Sequence, residues 1–457
     1  MQGLFGRDIR PETRSVALVV NVARFVVVAI GSLGDLHPMM PVAIELQRRG
    51  HEVSFAAPPV LHSELEMQGF ECVRLPPLVL PGPGASGESR QPKFSELAGP
   101  HLESIIGKLD DACEGVDAVL TSPHQVASAI VAERRRIPWI TLTVFPGFIP
   151  SSYTVPEPHW LPALPTPVGR VVNRLTWRAY RQALMYINRD YINRAVESRG
   201  LKFDHNLYAP GVTSPHLTLV LSSAHYTPPL RDWPPTVKVT GYSPWDRPRH
   251  WTEPRDLAAF LAGGPPPVVV TVSSARNGGL LLTIAKQALE ESGRRGILLT
   301  GQASEELLGG APHLILDKGI AAFRYIPLSY LLPKAELVVH HGGIGTVLAT
   351  AMHGLPCIAI PTSFDHFYNA GRVRALGIGR VLPGNVEVVN GKVRYRDVTP
   401  RKLAEEMAAV TADPGYRQRA RELMTAMQTE DGPGRAGDEI EALLARRRAA
   451  RPAAASA

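Results

Sequence analysis

Short and almost wholly apolar runs at 25–30, 52–57, 70–75, 117–121, 138–143 and 217–221 alternate with segments of helical period at 39–49, 60–68 and 126–135. A strand that is apolar on both faces belongs in a parallel sheet covered by helices on both sides, so this alternation restricts the chain to an α/β architecture. The rhythm then restarts, with strand-like runs at 268–272, 296–299, 337–340 and 357–360 and helical patterns at 281–292 and 346–353. Between the two series, residues 227–267 are rich in proline, tryptophan and charge, ending in Gly263-Gly-Pro-Pro-Pro267. The expectation is two Rossmann-like doubly wound domains facing across a cleft: an extension at 1–23, a first domain at 24–242, a linker at 243–266, a second domain with C-terminal helices at 267–445, and a disordered Ala/Arg tail at 446–457. Ligands of such sheets bind outside the carboxyl ends of the strands, which points to the loops at 31–35, 273–279 and after His340.

Composition narrows the function classes. With 44% hydrophobic and 20% charged residues over 457 positions, the chain is globular rather than disordered or fibrous. Cys72, Cys113 and Cys357 lie far apart with no ligand spacing, which argues against a disulfide framework or a structural zinc and for a cytoplasmic protein. A net charge of +7, spread along the chain, gives no nucleic-acid footprint and at most a weak attraction to a membrane surface. The apolar stretch at 16–30 is interrupted by Asn21 and Arg24 and is too short to span a bilayer.

The most informative segment runs from Tyr325 to Thr346. A strand ends at His340, the chain turns on Gly342, Gly343 and Gly345, and a helix is expected to begin near Thr346. Glycines allow a ligand to approach the backbone, and the first amides of a helix point outward with a favourable dipole, so the turn suits a phosphate. His341 and Thr346 would add an imidazole donor and a hydroxyl. His340, one residue earlier on the strand, falls on the opposite face and reads as structural.

The run His341-Gly-Gly-Ile-Gly-Thr346, with Pro327 and Leu331-Leu-Pro333 before it and Gly354, Pro356, Pro361, Asp365 and Asn369-Ala370 after it, resembles the donor-binding signature of family 1 glycosyltransferases of the GT-B fold. Gly31-Ser-Leu-Gly-Asp-Leu-His-Pro38 is similar to the acceptor-side loop of that family. The resemblance covers about residues 24–430 and is nearest to bacterial members: rhamnolipid-type rhamnosyltransferases and the enzymes that glycosylate macrolides, glycopeptides and sterols. It implies a UDP- or dTDP-sugar as donor, a lipophilic small molecule as acceptor, and inversion at the anomeric carbon without a metal or other cofactor. It places His341 on the diphosphate with Gly343, Gly345 and Thr346, Tyr325 stacked on the base, Ile326 offering backbone groups to it, Ser273 and Ser274 closing on the phosphates, and Asp365 with His366 on the sugar hydroxyls. The sugar-binding pair is usually Asp-Gln, and here it is Asp-His. Ala349 stands where plant members carry a ribose-binding glutamate.

Glycosyl transfer to a hydroxyl needs a base for the acceptor proton. The resemblance assigns this to Asp35, with His37 as the alternative and a cap on the helix expected after Pro38 as the structural role for the same carboxylate. Asp110-Asp111 reads as a solvated helix face rather than a metal site. The acceptor pocket is expected from loops at 75–101 and 145–191, which include Phe145, Phe148, Trp177 and Tyr180. A sugar-nucleotide epimerase of the same fold and a non-catalytic glycosyltransferase-like partner protein are the alternatives.

Overall fold

The computed structural model describes residues 22–450 except 32, 78–100, 124, 157–162, 199, 201–212, 243, 247–250, 273–277, 302–307, 318, 363 and 390–391. Its first half comprises β1 (Arg24–Val28), α1 (Leu33–Leu36), α2 (Met40–Arg48), β2 (Glu52–Ala57), α3 (His62–Met67), β3 (Glu71–Arg74), α4 (Leu102–Ala112), β4 (Ala118–Thr121), α5 (Val126–Arg135), β5 (Trp139–Thr143), α6 (Pro167–Glu197), β6 (Leu217–Val220) and β7 (Val237–Val239). The strands form one sheet in the order β3-β2-β1-β4-β5-β6-β7, every pair parallel. The strand order reverses between β1 and β4, which puts the loop after β1 at the crevice of the switch point.

The second half continues with α7 (Arg255–Ala262), β8 (Val268–Thr271), α8 (Gly278–Ser292), β9 (Gly296–Leu299), β10 (His313–Asp317), β11 (Ile320–Phe323), α9 (Leu328–Leu331), β12 (Leu337–His340), α10 (Ile344–Met352), β13 (Cys357–Ala359), α11 (Phe364–Leu376), β14 (Gly379–Val381), a β15–β16 hairpin (Val386–Val389, Lys392–Tyr395), α12 (Pro400–Ala412), α13 (Pro414–Met427) and α14 (Gly432–Ala450). Its sheet runs β10-β11-β9-β8-β12-β13-β14, parallel except for the edge pair β10/β11. The reversal now lies between β8 and β12, so the turn after His340 also borders a switch-point crevice, in the place that the loop after β4 holds in the first sheet.

Five features depart from the expectations. Residues 446–450 are not a frayed tail: α14 runs to Ala450, while 451–457 lie outside the described residues. Nor does α14 stay with the second domain, because its Ala436, Ile440, Leu443 and Leu444 enter the core of the first sheet. Arg49 at the end of α2 fastens it with bonds to Asp438 and Glu441 at 2.7 and 2.8 Å. Small and apolar residues at this spacing also fit a domain-local helix, and only the partner surface decides between the two.

The segment at 145–191, expected as loops, holds the 31-residue α6. Pro167 at its first turn and the Thr166 hydroxyl, accepting from the Gly169 N–H at 3.0 Å, start the helix. Trp177 is buried on its inner face and donates to the Thr154 carbonyl, which makes it a packing residue. Asp110 is buried, not solvated, because α4 packs on α5 and its carboxylate takes both Arg134 and Arg135, at 2.6 and 2.8 Å. The expected linker also carries α7, whose Leu257 and Phe260 belong to the second core.

Candidate active site

The turn after β12 is built around Gly342, whose φ of +96° suits glycine and few other residues. Three groups hold it. The Nδ1 of His340, wholly buried, accepts from the Gly342 N–H at 3.0 Å. The Asn369 side-chain amide, on α11, donates to the Gly342 carbonyl at 2.8 Å. A Cβ on Gly342 would lie 3.1 Å from the backbone and Cβ of His366, so α11 starts directly against the turn.

From there the chain enters α10 at Ile344, two residues earlier than the sequence pattern placed it. Gly343 is the N-cap and brings no side-chain cap, so the first-turn amides of Ile344, Gly345 and Thr346 are presented at a bare helix N-terminus. A Cβ on Gly345 would meet nothing within 4 Å. His341 is 4% exposed, and a Cβ on Gly343 would come within 2.7 Å of its Nε2, so this edge of the ring faces the amide turn. Nδ1 is buried without a hydrogen-bond partner.

Burial drives the His341 imidazole down to about 4, against an opposing pull from the Thr271 backbone. The His366 ring meets that of His341 edge-on with centroids 4.7 Å apart, and its Nδ1 lies 3.2 Å from the Thr362 hydroxyl. Burial and the neighbouring His341 take it to about 3. His340 also falls to about 3, again chiefly through burial. All three rings are therefore neutral near pH 7, and His341 can serve a phosphate as a neutral N–H donor. Asp365, half-buried, is 3.9 Å from His366 Nε2.

Tyr325 follows β11 and leaves 45% of its surface exposed, and its hydroxyl donates to Asp246 at 3.0 Å. The other oxygen of Asp246 accepts from the Ser329 N–H at 2.7 Å, so one carboxylate from the interdomain segment ties the Tyr325 ring to the start of α9. The Ile326 side chain is buried in the core, which leaves only its backbone for a ligand. Ser273 and Ser274 lie outside the described residues.

On the other sheet, Asp35 is exposed on the four-residue α1, immediately after β1. Gly31, at φ +136°, accommodates its carboxylate: a Cβ there would overlap Asp35. The capping role does not apply, because α2 starts at Met40 with Met39 as N-cap and no side-chain bond. His37 is half-buried in the same loop. The carboxyl edges of the two sheets meet: Phe145, just past β5, packs its ring 5.5 Å from that of Tyr368 on α11.

Two family profiles match the chain: the glycosyltransferase family 28 N-terminal domain over residues 25–154, and the erythromycin biosynthesis protein CIII-like C-terminal domain over 311–443. The O-mycaminosyltylonolide 6-deoxyallosyltransferase of Streptomyces fradiae is 29% identical over 90% of this chain and 94% of its own. Glycosyltransferase GtfE of Amycolatopsis orientalis is 28% identical over 93% and 98%. Among solved structures, the glycotransferase of kitacinnamycin superposes with a TM-score of 0.68 at 20% identity, covering 93% of this chain and 99% of that one. This chain belongs to the family 1 glycosyltransferases of the GT-B fold. It is thus a nucleotide-sugar-dependent transferase. In this glycosyltransferase His340, read from the sequence as structural, holds Gly342, and two residues given no role by sequence reasoning join it: Asn369 also holds Gly342, and Asp246 holds Tyr325. The one available signal was Asn369, quoted for the resemblance but given no role; Asp246 sits in a proline-rich stretch where nothing marks it.

Proposed function

We propose that the enzyme moves a sugar from a UDP- or dTDP-sugar to a hydroxyl of a lipophilic small molecule, with inversion and without a metal. The observation that carries this is the pairing of two switch-point loops across the meeting edges of the sheets, one bearing an exposed carboxylate at Asp35 and the other a bare helix N-terminus beside His341. In the reaction, Asp35 takes the proton of the acceptor hydroxyl as its oxygen bonds to the anomeric carbon. The bond from that carbon to the diphosphate oxygen breaks on the opposite side. The departing charge is met by the Ile344, Gly345 and Thr346 amides and by His341. A single displacement needs one base and yields inversion.

Several resemblances support the finer choices. The fold neighbour VinC was solved with dTDP, at a TM-score of 0.61 and 17% identity over 93% of this chain and all of that one. Sterol 3-beta-glucosyltransferase UGT80A2 of Arabidopsis thaliana, 25% identical over 90% of this chain and 64% of its own, acts on a lipophilic acceptor by its name. Asp365 and His366 would grip the sugar, His366 from a buried position against His341, and Ser273 and Ser274 would close over the phosphates. The exposed Val168, Val171, Val172 and Leu175 on α6, beside Arg174 and Arg178, fit a weak association of this cytoplasmic enzyme with an anionic membrane surface. No helix among the described residues is long and apolar enough to cross a membrane.

Mass spectrometry of a panel of UDP- and dTDP-sugars incubated with the enzyme, with water as the only acceptor, tests the proposal. Hydrolysis of one or a few donors is expected. Binding without any turnover would assign the chain to the non-catalytic alternative, and no binding at all would refute the donor reading.

A further inference from the structure

The connection from β6 to β7 leaves the first sheet and returns to it, and between the two it inserts a tyrosine into the other domain. Tyr226 is wholly buried among residues of the second core, including Leu257, Phe260 and Val338. Its hydroxyl is placed on Asn369, 3.1 Å from the side-chain oxygen and 3.3 Å from the carbonyl. Arg372, one helical turn along α11, donates to the Tyr226 carbonyl at 2.7 Å, so the insertion is gripped at its backbone and at its tip. Asn369 in turn donates through Nδ2 to the Gly342 carbonyl.

The peptide from Gly342 to Gly343 is planar, with its C=O and N–H pointing in opposite directions. Holding the Gly342 carbonyl toward α11 therefore aims the Gly343 N–H away from α11. It also sets the entry angle of α10, whose amides follow. The Gly342 carbonyl only accepts, so it selects the Nδ2 end of the Asn369 amide, but one hydrogen bond leaves the side chain free to swing about it. The Tyr226 hydroxyl donates to the Oδ1 end and so holds the amide at its second end, restraining its rotation. We propose that Tyr226 is a positioning residue for the donor diphosphate: acting through Asn369 and Gly342, a side chain contributed by the acceptor-side domain sets the affinity of the donor-side turn. This rests on reading the Gly342–Thr346 turn as the diphosphate site.

Calorimetric titration of UDP and dTDP into the intact enzyme and its variants tests it. Tyr226→Phe keeps the buried ring and removes only the hydroxyl. Its Kd should rise about three- to tenfold, the effect of one neutral hydrogen bond, with a binding stoichiometry near one. Asn369→Asp keeps the acceptor for Tyr226 but replaces the donor to Gly342 by an oxygen, and should weaken binding further. The double variant should bind no worse than Asn369→Asp alone, because the two groups act in series. A merely structural role predicts a different pattern, with lowered stoichiometry or melting temperature at an unchanged Kd, and that pattern would overturn the proposal. So would simple additivity of the two losses. If the unaltered enzyme binds neither nucleotide, the diphosphate reading itself falls and this inference with it. Normal binding by both the enzyme and Tyr226→Phe removes only the role of Tyr226.

Discussion

Asp35→Asn is the substitution that separates proton transfer from shape. Asparagine matches aspartate in size, so the close fit against Gly31 is retained. The side chain is exposed on a four-residue helix and caps no following helix, so its stability contribution is small. An exposed change of this kind alters stability by about 0.5 kcal/mol or less. Loss of a general base, in contrast, slows turnover by about 10² to 10⁴, equivalent to roughly 2.7 to 5.4 kcal/mol on the barrier. The expected result is a large fall in kcat with melting temperature and nucleotide Kd close to those of the unaltered enzyme. Donor consumption followed by mass spectrometry, a thermal melt and a nucleotide titration on the same preparation provide the three readings. Turnover within about threefold of the unaltered enzyme would refute the assignment. If His37→Ala were inactive at the same time, the base would be the histidine.

Other expectations follow from the Gly342–Thr346 turn and its proposed role. His341→Ala should raise the Kd for UDP and dTDP about tenfold to a hundredfold, the range for a hydrogen bond to a charged group, and lower transfer with it; unchanged affinity by calorimetry would take His341 off the phosphates. Gly342→Ala forces a side chain onto φ +96° and against His366, so it should lose about 1 to 3 kcal/mol in urea unfolding. Gly345→Ala, which meets open space at a helical position, should keep its stability. Stability should also fall in acid. His340, His341 and His366 titrate at about 3, 4 and 3 in the folded chain, so between pH 6.5 and 4 the unfolded chain binds their protons and the folded chain does not. Their contribution is complete above pH 6.5 and declines toward pH 4, by up to about 1.4 kcal/mol per pH unit for each ring. His366→Gln removes one ring and should flatten the pH dependence of the urea midpoint; an identical slope would show that His366 is not held neutral by burial.

The strands that carry the site were legible because they are buried on both faces, and a run such as 337–340 fits the interior of a parallel sheet in an alternating α/β series. The glycine turn was legible for a related reason: closely spaced glycines after such a strand have a backbone meaning that does not depend on distant partners. α6 was missed because its weakly amphipathic pattern follows a proline-rich stretch, and the helix is fixed by packing on one face rather than by local signals. β7 and β14 are three residues long and too short to carry a pattern, and β10 and β11 form an antiparallel edge pair in a series that otherwise reads as parallel.

What the sequence by itself determined is therefore local: two α/β series, the switch-point loops, the anion-ready turn and the residue types standing in it. Side-chain roles that depend on a distant partner belonged to the tertiary structure. Asn369 joined the neighbouring His340 as a holder of Gly342 only when β12 and α11 came together. Tyr226 reached Asn369 across 143 positions of chain. Asp246 came to hold Tyr325 and α14 returned to the first core by the same means. The physical reason is that backbone conformation is governed by near neighbours and burial pattern, whereas a hydrogen bond or ion pair between remote residues exists only after the chain has closed the loop between them.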